Sequence, residues 1–323
     1  MQKINFLVIL VVVLCIAGCC GGNASDSVKL VPAGVDLMLE INIKSLLGDT
    51  NVTDNIIDPV TKKKITVDEA FKQGIEKTGI DFRKLENILV FVDFPMDAIA
   101  SGAKPDPLKL VAGAILTGSF NESEILAVVK KKIGTEPKSI DVGGYKVYES
   151  PDKKAQITLI DSKFLIIGAG PTVGKVIDVV GGKGEAVGGD MTDVLGTAPA
   201  DSYVKLAILL PAALKEMILK KAPPQAKLLE KVNNLMLIYR KASASNYALD
   251  LTAKTSSAED AKKITSALEG LMALGKMMAM QKPDLAKIME TLKIENSGDI
   301  VKITVEIDPE LMKKAAKGIP MGK

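Results

Sequence analysis

The sequence predicts an α+β protein built from two related units, each a mostly antiparallel sheet with helices on one face. Three observations point there. Apolar runs of strand length lead into stretches of helical spacing, some of which open on Ser or Thr followed a few residues later by an acid. The same order of runs recurs in both halves of the chain. Between the halves stands a glycine-rich joint, Gly181-Gly182-Lys183-Gly184 to Gly188-Gly189-Asp190, of the kind that separates domains. A length of 323 residues fits two domains of roughly 100–200 residues each. The expected organisation is a signal peptide over 1–18, a lipidated tether over 19–27, a first unit over 28–182 and a second over 190–323.

The chain opens with Lys3, an apolar run from Phe6 to Ala17, then Gly18 and Cys19. A positive start, a short apolar stretch and a small-residue junction read as an export signal. The junction Ile16-Ala17-Gly18-Cys19 resembles the lipobox of prokaryotic lipoproteins, whose cysteine is lipidated and becomes the new N-terminus. The resemblance implies a diacylglycerol thioether on Cys19 and a protein held to the outer face of the cytoplasmic membrane. Two alternatives remain: plain secretion after cleavage at Gly18, and a retained membrane helix. A spanning helix needs about 20 apolar residues, and this run offers roughly a dozen before Gly18 to Gly22 break it. Gly21 to Ser27 is small and polar, as a flexible tether would be.

The first unit begins with Pro32-Ala33, the apolar run Val35 to Ile43 and then Ser45-Leu46-Leu47. The second begins with Pro199-Ala200, Tyr203 to Leu210 and Ala212-Ala213-Leu214, at the same spacing from proline to final leucine. Each reads as a strand running into a helix. Asn87-Ile88-Leu89-Val90-Phe91-Val92 then matches Asn234-Leu235-Met236-Leu237-Ile238-Tyr239, and Ala114 to Thr117 matches Ala248 to Thr252. After each third run comes a helix start, over Ser119 to Glu124 and over Thr255 to Asp260. The first unit adds a hairpin, Tyr145–Tyr148 and Gln156–Ile160 around Ser150-Pro151-Asp152-Lys153, then a strand over Lys163–Ile167 and a helix near Val173–Val180. The second closes with an alternating strand, Ile300–Ile307, and a helix opening at Pro309-Glu310. The first copy carries an insertion over roughly Gly48 to Thr78.

Composition narrows the chemistry. Hydrophobic residues make up 47%, aromatics only 4%, and Trp is absent, so the core rests on Leu, Ile, Val, Ala and Met. A net charge of +3 is too balanced to argue for a nucleic-acid partner. The three cysteines, Cys15, Cys19 and Cys20, all lie in or beside the signal, which leaves the body without a disulfide framework. Histidine, the commonest general base and metal ligand, is absent.

Few motifs survive inspection. Gly168-Ala169-Gly170-Pro171-Thr172-Val173-Gly174-Lys175 follows a strand and precedes a helix. Ala169 and Val176 break the Walker pattern, Val173 breaks the dinucleotide pattern, and Pro171 lacks the N–H a phosphate would use. It reads as a strand-to-helix turn, and no cofactor is expected. The stretch Leu271 to Met280 holds Met272, Met277, Met278 and Met280. Without Cys or His nearby it lacks the makings of a soft-metal site. Ile264, Leu268, Leu271, Met272 and Met278 fall near one helical face, which fits a core-facing helix; the methionines otherwise offer an adaptable apolar binding surface. The acids Glu122, Glu124, Glu259 and Asp260 complement helix dipoles. Lys62-Lys63-Lys64 and Lys130-Lys131-Lys132 read as solvated faces or as contacts to anionic headgroups. Sequons at Asn23, Asn51 and Asn121 permit glycosylation of an exported chain, Asn51 and Asn121 being the sites within the body.

The lipobox, the Pro32-Ala33-Gly34-Val35-Asp36-Leu37 opening, its echo Pro199-Ala200-Asp201 and the duplicated body resemble uncharacterised exported lipoproteins of archaea and bacteria, families of unknown function. The lysine, isoleucine and sequon content suits a methanogenic archaeon. The resemblance implies no activity. The expectation is a non-enzymatic, lipid-anchored cell-surface protein that binds a partner protein or an apolar ligand. A carboxylate-based hydrolase of envelope polymers and a purely structural envelope component are the alternatives.

Overall fold

The structure, a computed structural model, describes residues 26–53, 64–101, 103, 106, 108–196, 198–199, 202–221, 224–243, 246–280 and 283–309. The expected signal peptide, Cys19, nearly all of the expected tether, the sequon at Asn23 and the chain after Pro309 lie outside them. In chain order the elements are β1 (Leu37–Asn42), α1 (Ile43–Gly48), α2 (Thr50–Thr53), α3 (Val67–Thr78), β2 (Leu85–Val92), α4 (Met96–Ser101), β3 (Ala112–Gly118), α5 (Glu122–Ile133), β4 (Lys138–Val142), β5 (Tyr145–Glu149), β6 (Ala155–Ile160), β7 (Phe164–Ala169), α6 (Thr172–Val180) and α7 (Asp190–Gly196). They continue with β8 (Ser202–Leu209), α8 (Ala212–Lys221), β9 (Val232–Lys241), β10 (Tyr247–Thr255), α9 (Ala258–Ala279), α10 (Pro283–Thr291), β11 (Lys293–Ser297) and β12 (Ile300–Ile307). Sheet and helix are both abundant and the described ladders are antiparallel, so the fold class is α+β.

The chain divides into two compact units, one within Met1–Phe94, Pro105–Gly188 and Pro199–Val204, the other within Pro95–Lys104, Gly189–Ala198 and Lys205–Lys323. The main division falls inside the glycine-rich joint. Two short segments, 95–104 and 199–204, group with the opposite half of the sequence.

In the first unit the strands run β8-β1-β2-β3-β7-β6-β5-β4, with β8 represented by its first residues. Two-residue turns set the outer register. Gly143 and Gly144, at φ 59 and 85, join β4 to β5 with Val142 opposite Tyr145; positive φ at both central residues is what a type I′ hairpin turn requires. Helix α5 starts at Asn121, whose Oδ1 accepts the Ser123 N–H, and α3 starts with a reciprocal Thr66–Glu69 capping box.

Helices stand on both faces of this sheet, which corrects the expectation of one. Gly113 and Gly168 have no room for a Cβ because Thr172 of α6 lies against them. On the opposite face Tyr148 donates to Glu122 of α5 at 2.7 Å. The reason is visible in β3, where Ala112 to Thr117 are all buried. A strand buried on both sides needs cover on both sides, and its apolar run is continuous rather than alternating.

In the second unit the order is β11-β12-β10-β9-β8. Val232, Val301, Ala261 and Ile264 form a core between sheet and α9, with Leu268 and Leu235 packed against it. Ala198 covers Met236 and Ile238, which alternate with Leu235 and so point to the other face. Three strands are stitched by one carboxylate. Asp250 of β10 is 1% exposed; Arg240 Nε of β9 donates to its Oδ2 at 2.7 Å and Thr304 Oγ1 of β12 to its Oδ1 at 2.7 Å. Burial pushes the Asp250 carboxyl up, but the bonds from Arg240 and Thr304, helped by the Lys302 charge, hold it below its ordinary value.

Each unit contains the same irregularity. Between β2 and β3, Leu85 faces Gly118 and Asn87 faces Thr117, so Glu86 is an extra residue. Between β9 and β10, Val232 faces Thr255 and Asn234 faces Lys254, so Asn233 is extra. Just beyond each bulge the chain closes alike: Ser119 N–H donates to the Lys84 carbonyl at 3.4 Å, and Ser256 N–H to the Lys231 carbonyl at 2.9 Å.

Candidate functional site

Helix α9 is set up locally by its cap: Ser257 Oγ accepts the Asp260 N–H at 3.1 Å, and Glu259 and Asp260 complement the helix dipole. One stripe, Ala261, Ile264 and Leu268, faces the core. Further along, Gly275 faces α10, where an added Cβ would lie 2.9 Å from Met289 Cε, and Ala279 is buried. The rest of the C-terminal half is open. Leu271 is 51% exposed, Leu274 59%, Met277 68% and Met280 82%. Leu271 therefore departs from the core face on which the spacing places it. Met272 is half-buried, and the Met278 side chain lies outside the described residues. From Gly270 to Met280 the only charge is Lys276. The result is an exposed apolar surface of flexible side chains carrying a single charge, suited to an apolar partner surface.

A second site was not legible in the sequence. Asp36 and Asp93 meet at the β1/β2 margin of the first unit. Asp36 Oδ2 accepts the Phe94 N–H at 2.9 Å, and the Asp36 N–H donates to the Val92 carbonyl at 2.9 Å. Burial, then the Asp36 charge, pushes the Asp93 carboxyl above its ordinary value, while Lys175 of α6 works the other way. A carboxyl raised on folding is bound to its proton more tightly in the native state, so stability falls as pH rises between the unfolded and folded values. Asp93→Asn removes that loss. The variant should melt above the wild type at neutral pH, and the two curves should converge below about pH 3.9, the unfolded carboxyl value. Thermal scans across pH check this; a constant difference at every pH would refute it.

The remaining features sit as follows. In the Gly168–Lys175 turn, Thr172 Oγ1 accepts the Ala112 N–H at 3.0 Å, so the hydroxyl serves the fold. Two hollows among the described residues hold about 70 Å³ beside Gly79 and Phe120, and about 280 Å³ beside Glu122, Tyr145, Lys146 and Asp161. Both are smaller than the roughly 300–1,000 Å³ clefts that enclose small apolar ligands. Glu124 pairs with Lys84 at 2.8 Å and Lys130 with Glu136, as solvated surface groups do. Lys62 and Lys63 lie outside the described residues. Among those residues no three His, Cys, Asp or Glu side chains stand together as a metal site, and no helix is long and apolar enough to cross a membrane. Asn51 falls within α2, its side chain outside the described set, and Asn121 is the exposed cap of α5.

Residues 55–75 are similar to the plectin-repeat family. Of these only 64–75 are described, ending in the first turns of α3. Comparisons with curated proteins and with solved structures return no match. A match over so small a part of the chain fixes no family.

Proposed function

We propose that this is a non-enzymatic protein, lipid-anchored at the outer face of the cytoplasmic membrane, that docks a partner protein through α9. The observation that carries the reading is the exposure of Leu271, Leu274, Met277 and Met280 at the end of α9, a stretch whose one charge is Lys276. The small, open hollows favour a partner's surface over an enclosed apolar ligand. An apolar helix face of this kind is received by a hydrophobic groove. Leu274→Glu with Met277→Glu tests it. Both positions are exposed and glutamate is a good helix former, so stability should change little. Crosslinks from Lys276 on intact cells should reach one partner protein, and the double variant should reduce them at least about tenfold, the scale of losing an interface anchor. Crosslinks unchanged by the substitutions would exclude α9 as the docking element.

The two units also read as copies of one ancestral α+β unit. Strand order supports this: β1-β2-β3-β7-β6 in the first corresponds to β8-β9-β10-β12-β11 in the second. The matched bulges at Glu86 and Asn233 support it more strongly, since bulges persist within families. Asn87 and Asn234 stand just after those bulges, and each keeps a buried amide atom without a hydrogen-bond partner among the described residues, Oδ1 in one and Nδ2 in the other.

The Asp36–Asp93 pair favours a second reading, hydrolysis of an envelope polymer. A carboxylate pair divided between acid and base roles is the tool for glycoside cleavage without histidine. The Asp93→Asn variant separates the readings: loss of reducing-end release from envelope polysaccharide would establish the hydrolase, and no release by the wild type would dismiss it.

A further inference from the structure

We infer that Asn121 carries an N-linked oligosaccharide, an assignment that rests on the exported location proposed above. Asn121 is the exposed cap of α5, and Glu122 and Ser123 of its sequon are the first residues of that helix. Asn121 is extended, at φ −110 and ψ 126, and its Oδ1 accepts both the Ser123 N–H at 2.9 Å and the Ser123 Oγ–H at 2.6 Å. The two bonds hold the carboxamide by its oxygen. They leave Nδ2, the acceptor atom, without a partner among the described residues. The cap and the modification therefore use different atoms of one side chain, so a glycan on Nδ2 does not cost the helix its start.

The other body sequon lacks this geometry. Asn51 sits inside the short helix α2, and the Thr53 hydroxyl donates to the Thr50 carbonyl instead. Beside Asn121, the hollow of about 280 Å³ begins at Glu122 and offers Tyr145, Lys146, Asp161 and Ser162, polar groups and one ring against which a first sugar can lie. In the transfer, Nδ2 forms a bond to the anomeric carbon of an oligosaccharide donated by a polyisoprenyl-phosphate carrier. The carbon–oxygen bond to the carrier breaks, the carrier leaves as its phosphate, and the amide releases one proton.

The test is mass spectrometry of the protein isolated from the membranes of its own cells. Trypsin places Asn121 in the peptide 110–130, with no other sequon. The expected result is a series of sugar mass increments on that peptide, absent from Asn121→Asp and from Ser123→Ala. Asn121→Asp keeps an oxygen to cap α5 and so keeps the fold, while removing the acceptor nitrogen. An unmodified 110–130 peptide from chains that begin at a lipidated Cys19 would overturn the assignment and leave the tether standing. An unmodified peptide from chains that still begin at Met1 would overturn both. Sugar on Asn51 with Asn121 bare would overturn it as well.

Discussion

Replacing Cys19 with serine should move the protein from the membrane fraction to the soluble fraction. Serine cannot form the thioether that the lipobox resemblance implies. The energetic case rests on chain number. Each buried methylene contributes about 0.8 kcal/mol, a single acyl chain gives only marginal, reversible attachment, and two give stable attachment. Loss of a two-chain anchor is therefore close to all-or-none. Fractionation of wild-type and variant cells, with the N-terminus of each read by mass spectrometry, checks it. Full membrane retention of Cys19→Ser would rule out the lipid anchor, and a variant still starting at Met1 would point to the apolar run Phe6–Ala17 as the holdfast.

Truncating Asp250 to alanine should destabilise the protein by about 3–5 kcal/mol, the scale of breaking a buried ion pair from one side. Asp250 is 1% exposed and Arg240 is 22% exposed, so removing the carboxylate takes a charge-assisted bond from Arg240 and a hydrogen bond from Thr304 in a site with little water to replace them. The penalty comes from those lost bonds. A double change, Asp250→Leu with Arg240→Met, should therefore recover much of the loss, because it removes both charges. The pH dependence has a definite sign. A carboxyl held below its unfolded value adds stability that is complete above about pH 3.9 and is lost as pH falls through the folded value. Asp250→Ala should thus cost most at neutral pH and progressively less in acid. Denaturant melts at pH 7 and in acid decide it. A cost below about 1 kcal/mol at pH 7 would mean that the three-strand junction does not depend on this carboxylate.

Two strands show where the sequence speaks softly. β4 and β11 do not stand out in the apolar pattern because both are short, polar edge-region strands. Each nevertheless has a local signal, since Gly143-Gly144 and Gly298-Asp299 are two-residue hairpin turns joining them to β5 and β12. The apolar runs of β1, β2, β3, β8, β9 and β10 were legible because burial demands them whatever covers them. The expectation of helices on one face failed for the same reason, since a continuous run states that a strand is buried without saying from which side.

Sequence alone determined the features that local chemistry controls. Ser257 starts α9 by accepting the N–H of Asp260, three residues further along the chain. Pro171 ends a strand turn and opens α6, and the order of apolar runs sets the order of strands. The proposed export address rests likewise on local residues, Ile16 to Cys19. Tertiary structure decided what depends on distant neighbours. Periodicity puts Leu271 on the same face of α9 as Ile264 and Leu268, yet the core takes Ala261, Ile264 and Leu268 and leaves Leu271 in solvent with Leu274 and Met277. Asp36, Asp93 and Lys175 form a cluster only because β1 pairs with β2 and α6 packs nearby. A charge is read by the groups around it, and those are supplied by folding, not by the residues next to it in the chain.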